Sequence, residues 1–216
     1  MQATIAFWSG RPGEGLSFVA DGLRYAEGAA AVRLHAIAAR SWSLLPGSAD
    51  RARAALRQAA EVRDHDHGRD EMSDSVGGEF GFPAVRLALC AGAVHIGLGD
   101  GTSAARYAVE ALRLYEHTPA DQQRWAVRHG ALMDLATARA QQGELDGAAE
   151  ALRPGLLLEP TWRTARLTRR LHTLREVLNR TPHRTNAVAR ELVEAVDDWS
   201  ALALTASRPP ALPPGR

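Results

Sequence analysis

Leu132-Met133-Asp134-Leu135-Ala136 leads, through the turn Gln142-Gly143-Glu144, to Ala148, Leu152, Gly155 and Pro160. Apolar and small residues recur at helical spacing on both sides of Gly143. A glycine there ends the first helix and supplies the permissive backbone of a tight turn. Ala148 and Gly155 lie seven residues apart, on one face of the second helix. Small side chains on that face let two antiparallel helices approach closely. The segment therefore predicts a helical hairpin.

The same spacing occurs three more times: Gly10, Gly15 and Gly22; Gly47, Ala52 and Ala59; Gly99, Ala104 and Ala111. Each set is a glycine, a small residue five positions on, and another seven further. The sets are offset by 37, 52 and 44 residues, so the unit is constant and the connections vary. Composition agrees. The 216 residues include 41 Ala and 26 Leu but 15 Val plus Ile, which favours helices over strands. Twenty-six arginines, with no lysine, face 25 acidic residues. That balance argues against a uniformly basic nucleic-acid surface.

The fourth set resembles the tetratricopeptide repeat (TPR) position for position, with Arg139 where that pattern usually has Tyr. The third matches through Gly92, Gly99, Asp100, Ala104 and Ala111, with His95 at the Tyr position; the second keeps Gly47, Ala52, Leu56 and Ala59. The resemblance covers roughly residues 1–160. It implies an all-α fold, a TPR-like α-solenoid of antiparallel helical hairpins with a C-terminal capping hairpin. Hairpins are expected over about 1–26, 31–63, 83–117 and 121–158, with the cap over 163–205 and a Pro-rich, disordered tail over 206–216.

The first unit reads as a stub, Met1 to Ser9, before a helix over about Glu14 to Ala26. Leu16, Val19 and Leu23 on that helix then need a cover, from a longer native N-terminus, from another chain, or from a short, atypical capping turn. In the cap, Leu167, Leu171, Leu174 and Leu178 form one stripe, and Val188, Leu192, Val196 and Trp199 form the facing one. The long connection from Arg63 to Pro83 is expected to be anchored by Phe80 and Phe82.

Candidates for chemistry are few. Asp64, His65, Asp66 and His67 are of metal-binding type, but adjacent loop residues cannot all converge on one ion, so a solvated loop is preferred. Gly97, Gly99 and Gly101 lack the preceding strand of a nucleotide fingerprint. Cys90, the single cysteine, has apolar neighbours and reads as a buried structural thiol. The arginine run from Arg163 to Arg190 is read as a solvated face opposite the leucine stripe, in preference to a phosphate-binding surface. No catalytic constellation is visible. The expectation is a protein that is not an enzyme and takes no cofactor or metal. No run reaches the ~18–20 apolar residues of a membrane span, and there is no secretory leader pattern. A cytoplasmic setting follows as the expectation.

Binding remains. The TPR register places first-helix positions on a concave face, here Leu34 and Ile37, then Arg86 and Leu89, then Met133 and Thr137, with Trp125 and Arg128 at the head of the fourth unit. Aromatic and arginine residues are frequent recognition anchors, although Trp125 could equally pack between hairpins. The chain further resembles the C-terminal TPR-like region of actinobacterial helix-turn-helix regulators of the Xre type. Gly77-Gly78-Glu79-Phe80-Gly81-Phe82, Gly97-Leu98-Gly99-Asp100, Glu110-Ala111-Leu112-Arg113-Leu114-Tyr115 and the Arg-rich hairpin ending in Trp199 carry that likeness. It implies the effector region of a transcription regulator without its DNA-binding domain, so direct DNA binding by this chain alone is not expected. The implied partners are a protein or peptide, a small-molecule effector, or a second copy in a homodimer. A stand-alone protein–protein adaptor is the alternative.

Overall fold

The computed structural model describes residues 1–65, 81–180 and 182–206, with side chains to 201. Phe80, Asp66, His67, Thr181 and most of the Pro-rich tail lie outside the described residues. Among those described there are ten α-helices, one short 3-10 turn and no strand. In chain order they are α1 (Gln2–Trp8), α2 (Pro12–Leu23), α3 (Gly28–Ser43), α4 (Ala49–His65) and α5 (Ala84–Gly97). They continue as α6 (Gly101–Glu116), α7 (Trp125–Gln142), α8 (Leu145–Leu156), α9 (Ala165–Leu178) and α10 (Ala187–Ala206). No described helix is long and apolar enough to cross a membrane.

The four glycines that head the repeated sets do what their spacing predicts. Gly10, Gly47, Gly99 and Gly143 have φ of 73°, 69°, 73° and 82°, the left-handed region that L side chains avoid. At three of them the helix closes in a Schellman arrangement. The N–H of Arg11 donates to the Ala6 carbonyl, that of Asp100 to His95, and that of Glu144 to Arg139, each at 2.9 Å. Asp100 then caps α6 by accepting the Ser103 N–H at 3.0 Å.

The small residues mark the contact lines between paired helices. Ala52, Ala59, Ala104, Ala111 and Ala148 are fully buried. A Cβ on Gly155 would stand 3.0 Å from Met133 Cε, and one on Gly15 would stand 3.4 Å from the Ala3 carbonyl oxygen. Two degenerate repeat positions are also structural. Arg139 donates through Nη1 to the Gly147 carbonyl at 2.8 Å, tying α7 to α8. His95 stacks on Tyr107 and its Nδ1 lies 3.1 Å from Asp100 Oδ2.

Helices pair as α1–α2, α3–α4, α5–α6, α7–α8 and α9–α10, and the odd-numbered helices also pack on one another in succession. One apolar core joins α7 to α10 around Met133, Leu152, Leu171 and Leu174. A second joins α1 to α5 around Val19, Ala39, Leu56 and Val94.

Of the covers open to the first hairpin, the structure shows the short one, the seven-residue α1. The short α1 and the following α3 cover α2: Val19 is buried, and Leu16 and Leu23 pack on the same core. The helix α4 also runs through Arg63, Asp64 and His65, which the sequence assigned to the connection.

Candidate functional site

The odd-numbered helices line two adjoining, half-open cavities of about 240 and 200 Å3. Every lining residue comes from these helices or the residues flanking them. Phe7, Trp8, Arg40, Arg166 and Arg170 border both cavities. The walls meet because α1 and α9, at opposite ends of the chain, touch through side chains. Arg169 Nη2 donates to the Trp8 carbonyl at 3.2 Å, and its guanidinium lies 4.7 Å from the Trp8 ring centroid. Arg166 lies 5.4 Å from the same ring.

Arg40 reaches the cavities from α3. Its guanidinium stands 4.5 Å over Phe7 and 4.8 Å over Trp8, and it has no hydrogen-bond or ion-pair partner among the described residues. Such cation–π contacts hold the head group in place without neutralising it. Burial lowers the Arg40 pKa, which Arg170 lowers further and Asp134 opposes; arginine starts high enough to stay charged. From α7, Asp134 presents a carboxylate that is 3% exposed. Its Oδ1 accepts from Arg170 Nε at 2.9 Å, while Oδ2 is buried without a partner. Burial pushes the Asp134 carboxyl up, and the Arg170 and Arg40 charges pull it back.

Among the described residues, Asp134 is the one acid lining the first cavity, against Arg40, Arg166, Arg169 and Arg170. Arg33, Arg86 and Arg124 line the second, where no described acid does. Among the described residues the linings thus carry more arginine than acid, between aromatic walls, an environment suited to an anion with an apolar body.

The residues expected on a concave face divide between wall and core. Ile37, Arg86 and Leu89 line the second cavity and Thr137 the first. Leu34 instead packs toward Gly22, Met133 is fully buried against Gly155, and Arg128 is exposed to solvent. Trp125 stacks edge-on against Trp162 at 5.0 Å and is not among the lining residues, although its neighbours Arg124 and Ala126 line the second cavity. Successive helical residues are rotated by about 100°, so an assignment one position out moves a side chain from wall to core. On α3 the wall keeps Ile37 and Leu44 of the register carried from the repeat pattern and has Arg33 and Arg40 where that register put Leu34 and Ser41. Asp134 had a legible signal, a single acid within Ala131-Leu132-Met133-Asp134-Leu135-Ala136. Trp8 had none.

The arginine run is likewise split. Arg166, Arg169 and Arg170 face the cavities, and Arg163 lies 4.7 Å over the Trp199 ring. Arg175, with Asp197, keeps the expected solvated position. Cys90 is half-buried and lines the second cavity, as does Phe82. Gly97, Gly99 and Gly101 form the turn between α5 and α6. No group of three or more His, Cys, Asp or Glu among the described residues is placed to hold a metal. The fold and site thus define an all-helical protein of paired helices around an arginine-lined cavity. Comparison with family models, curated proteins and solved structures finds no match for the chain.

Proposed function

We propose that this chain is a TPR-like ligand-binding regulatory module, the effector region of a transcription regulator, and that its effector is an anion held in the inner cavity. The observation that carries this reading is Arg40, a charged guanidinium fixed over Phe7 and Trp8 with no hydrogen-bonded or ion-paired acid among the described residues. The order of helix pairs and the left-handed glycines at their turns support the repeat assignment. Regulation follows because the cavity wall joins the two ends of the chain. A ligand that binds the closed arrangement more tightly than an opened one shifts the population between them.

The test uses 1-anilinonaphthalene-8-sulfonate, a fluorescent aromatic anion. Saturable binding at one site is expected, weakened about tenfold or more by Arg40→Met, since a lost charge-assisted hydrogen bond is worth about 1.5–3 kcal/mol. Arg175→Met, remote from the cavity, leaves it unchanged. Binding that ignores Arg40→Met overturns the reading. A protein adaptor is the second reading, favoured by Leu157 and Trp162, which are 79% and 49% exposed. It requires a partner whose binding is lost in Trp162→Ser and kept in Arg40→Met.

A further inference from the structure

The polar groups of the first cavity narrow the ligand beyond its charge. Three hydroxyls line it, and each is already bonded to a carbonyl of its own helix. Ser43 Oγ donates to Arg40 O at 2.8 Å, Thr137 Oγ1 to Met133 O at 2.9 Å and Thr173 Oγ1 to Arg169 O at 3.2 Å. Arg170 Nε serves Asp134 Oδ1, and Arg169 Nη2 serves the Trp8 carbonyl. Two unsatisfied functions stand out, of opposite kind. Arg40 has donors without an acceptor among the described residues. Asp134 Oδ2 is a buried acceptor without a donor. Buried polar groups in folded proteins are nearly always paired, so an orphan beside a cavity asks for a partner that enters it.

Between these two groups the cavity is apolar. Phe7, Trp8, Ala93 and Ile96 contribute its walls. Its volume of about 240 Å3 exceeds the ~150 Å3 apolar cavity known to accept benzene. This cavity alone has room for one six-membered ring with substituents, and a larger aromatic anion such as the dye extends into the adjoining cavity of about 200 Å3. A bare inorganic anion would satisfy Arg40 and leave both the apolar walls and Asp134 unmet. A plain aromatic acid would leave Asp134 unmet.

Resting on the anion-binding reading above, we infer that the cavity selects a small aromatic carboxylate bearing a hydroxyl or amino group on its ring. The carboxylate meets the Arg40 guanidinium, the ring lies against Phe7 and Trp8, and the hydroxyl or amine donates to Asp134 Oδ2. No covalent step is involved. The donor requirement sets specificity, because a site built to pair a donor penalises the analogue that lacks it.

The test is calorimetric titration of the full chain with benzoate, the three hydroxybenzoates, the three aminobenzoates, benzyl alcohol and inorganic phosphate. One or more of the substituted benzoates is expected to bind at 1:1 at least about tenfold tighter than benzoate, a difference of ~1.4 kcal/mol. Benzyl alcohol and phosphate are expected to be weaker than benzoate. Asp134→Asn can still accept from Arg170 through its oxygen while turning an NH2 toward the ligand's donor, so the preference over benzoate should disappear. Cooperative melting and retained anilinonaphthalenesulfonate binding show that this variant is folded. If benzoate binds as tightly as every substituted form, in both proteins, the inference is overturned while anion binding by the cavity stands. Phosphate binding tighter than any benzoate also overturns it, as does displacement of the dye by acidic peptides and by no benzoate. If neither the dye nor any benzoate binds in an Arg40-dependent way, the functional reading fails with it.

Discussion

Gly99 and Gly101 are two residues apart and are glycines for different reasons. Gly99 has φ +73° and open space around it, so an added Cβ costs only backbone strain. Gly99→Ala should lower stability by about 1–2 kcal/mol. Gly101 opens α6 in ordinary helical geometry, but a Cβ there would stand 2.8 Å from the Ala138 carbonyl oxygen on α7. Backbone must move to admit it, so Gly101→Ala should be the more damaging of the two, at the upper end of the ~1–3 kcal/mol seen for overpacking or beyond. Urea unfolding of the pair checks this, and equal losses would contradict the close approach of α6 to α7. His95 gives a pH signature at the same scale. Burial lowers its pKa below the ordinary 6.5, partly offset by the hydrogen bond to Asp100. Between the folded and unfolded values the unfolded chain binds more protons. The contribution is therefore fully present above about pH 6.5 and is lost as pH falls through the unfolded value toward the folded one. His95→Asn keeps an N–H for Asp100 without titrating. Its melting temperature should fall less than that of the parent between pH 7.5 and 5.5, and parallel slopes would contradict the assignment.

At the scale of helices, two arginines on α9 separate buried from exposed electrostatics. Arg170 bridges to Asp134 on α7 with side chains 15% and 4% exposed. Removing one member of a buried pair strands the other, so Arg170→Met should cost about 3–5 kcal/mol. Arg175 and Asp197 link α9 to α10 in solvent at 2.6 Å; Arg175→Met should leave the melting midpoint unchanged within error. Thermal melts of both variants, at low and high salt, decide the matter, and similar losses would contradict it. This contrast also marks what was legible. The hairpins were, because glycine turns and fully buried alanines at 52, 59, 104, 111 and 148 are local and periodic. The inner stripe was legible in part: Ile37, Arg86, Leu89 and Thr137 do line the cavities. Leu34 and Met133 were expected on the wall and belong to the core, since one residue of register rotates a helix by about 100°. The solvated reading of the arginine run held for Arg175 and missed Arg170, because a single stripe of Leu167, Leu171, Leu174 and Leu178 cannot reveal that the opposite face also meets protein.

Across the whole molecule, the feature beyond the reach of sequence is closure. Trp8 and Arg169 meet over a separation of 161 residues, and no local pattern encodes that contact. Trp8 gathers Arg40, Arg166 and Arg169 around one indole, so it holds the first and last helix pairs together. Trp8→Ala should leave helix content unchanged while increasing the radius of gyration in solution scattering and weakening anilinonaphthalenesulfonate binding. An unchanged scattering profile with full dye binding would contradict this role. The central claim is that an aromatic anion enters the space walled by Trp8. The most direct measurement is the indole N–H spectrum of 15N-labelled protein, in which the five tryptophans can be assigned by substitution. On titration with the dye, the account predicts a saturable shift of the Trp8 resonance, with Trp162 and Trp199 unmoved. A shift at Trp162 with Trp8 unchanged would place binding outside the cavity and contradict the account.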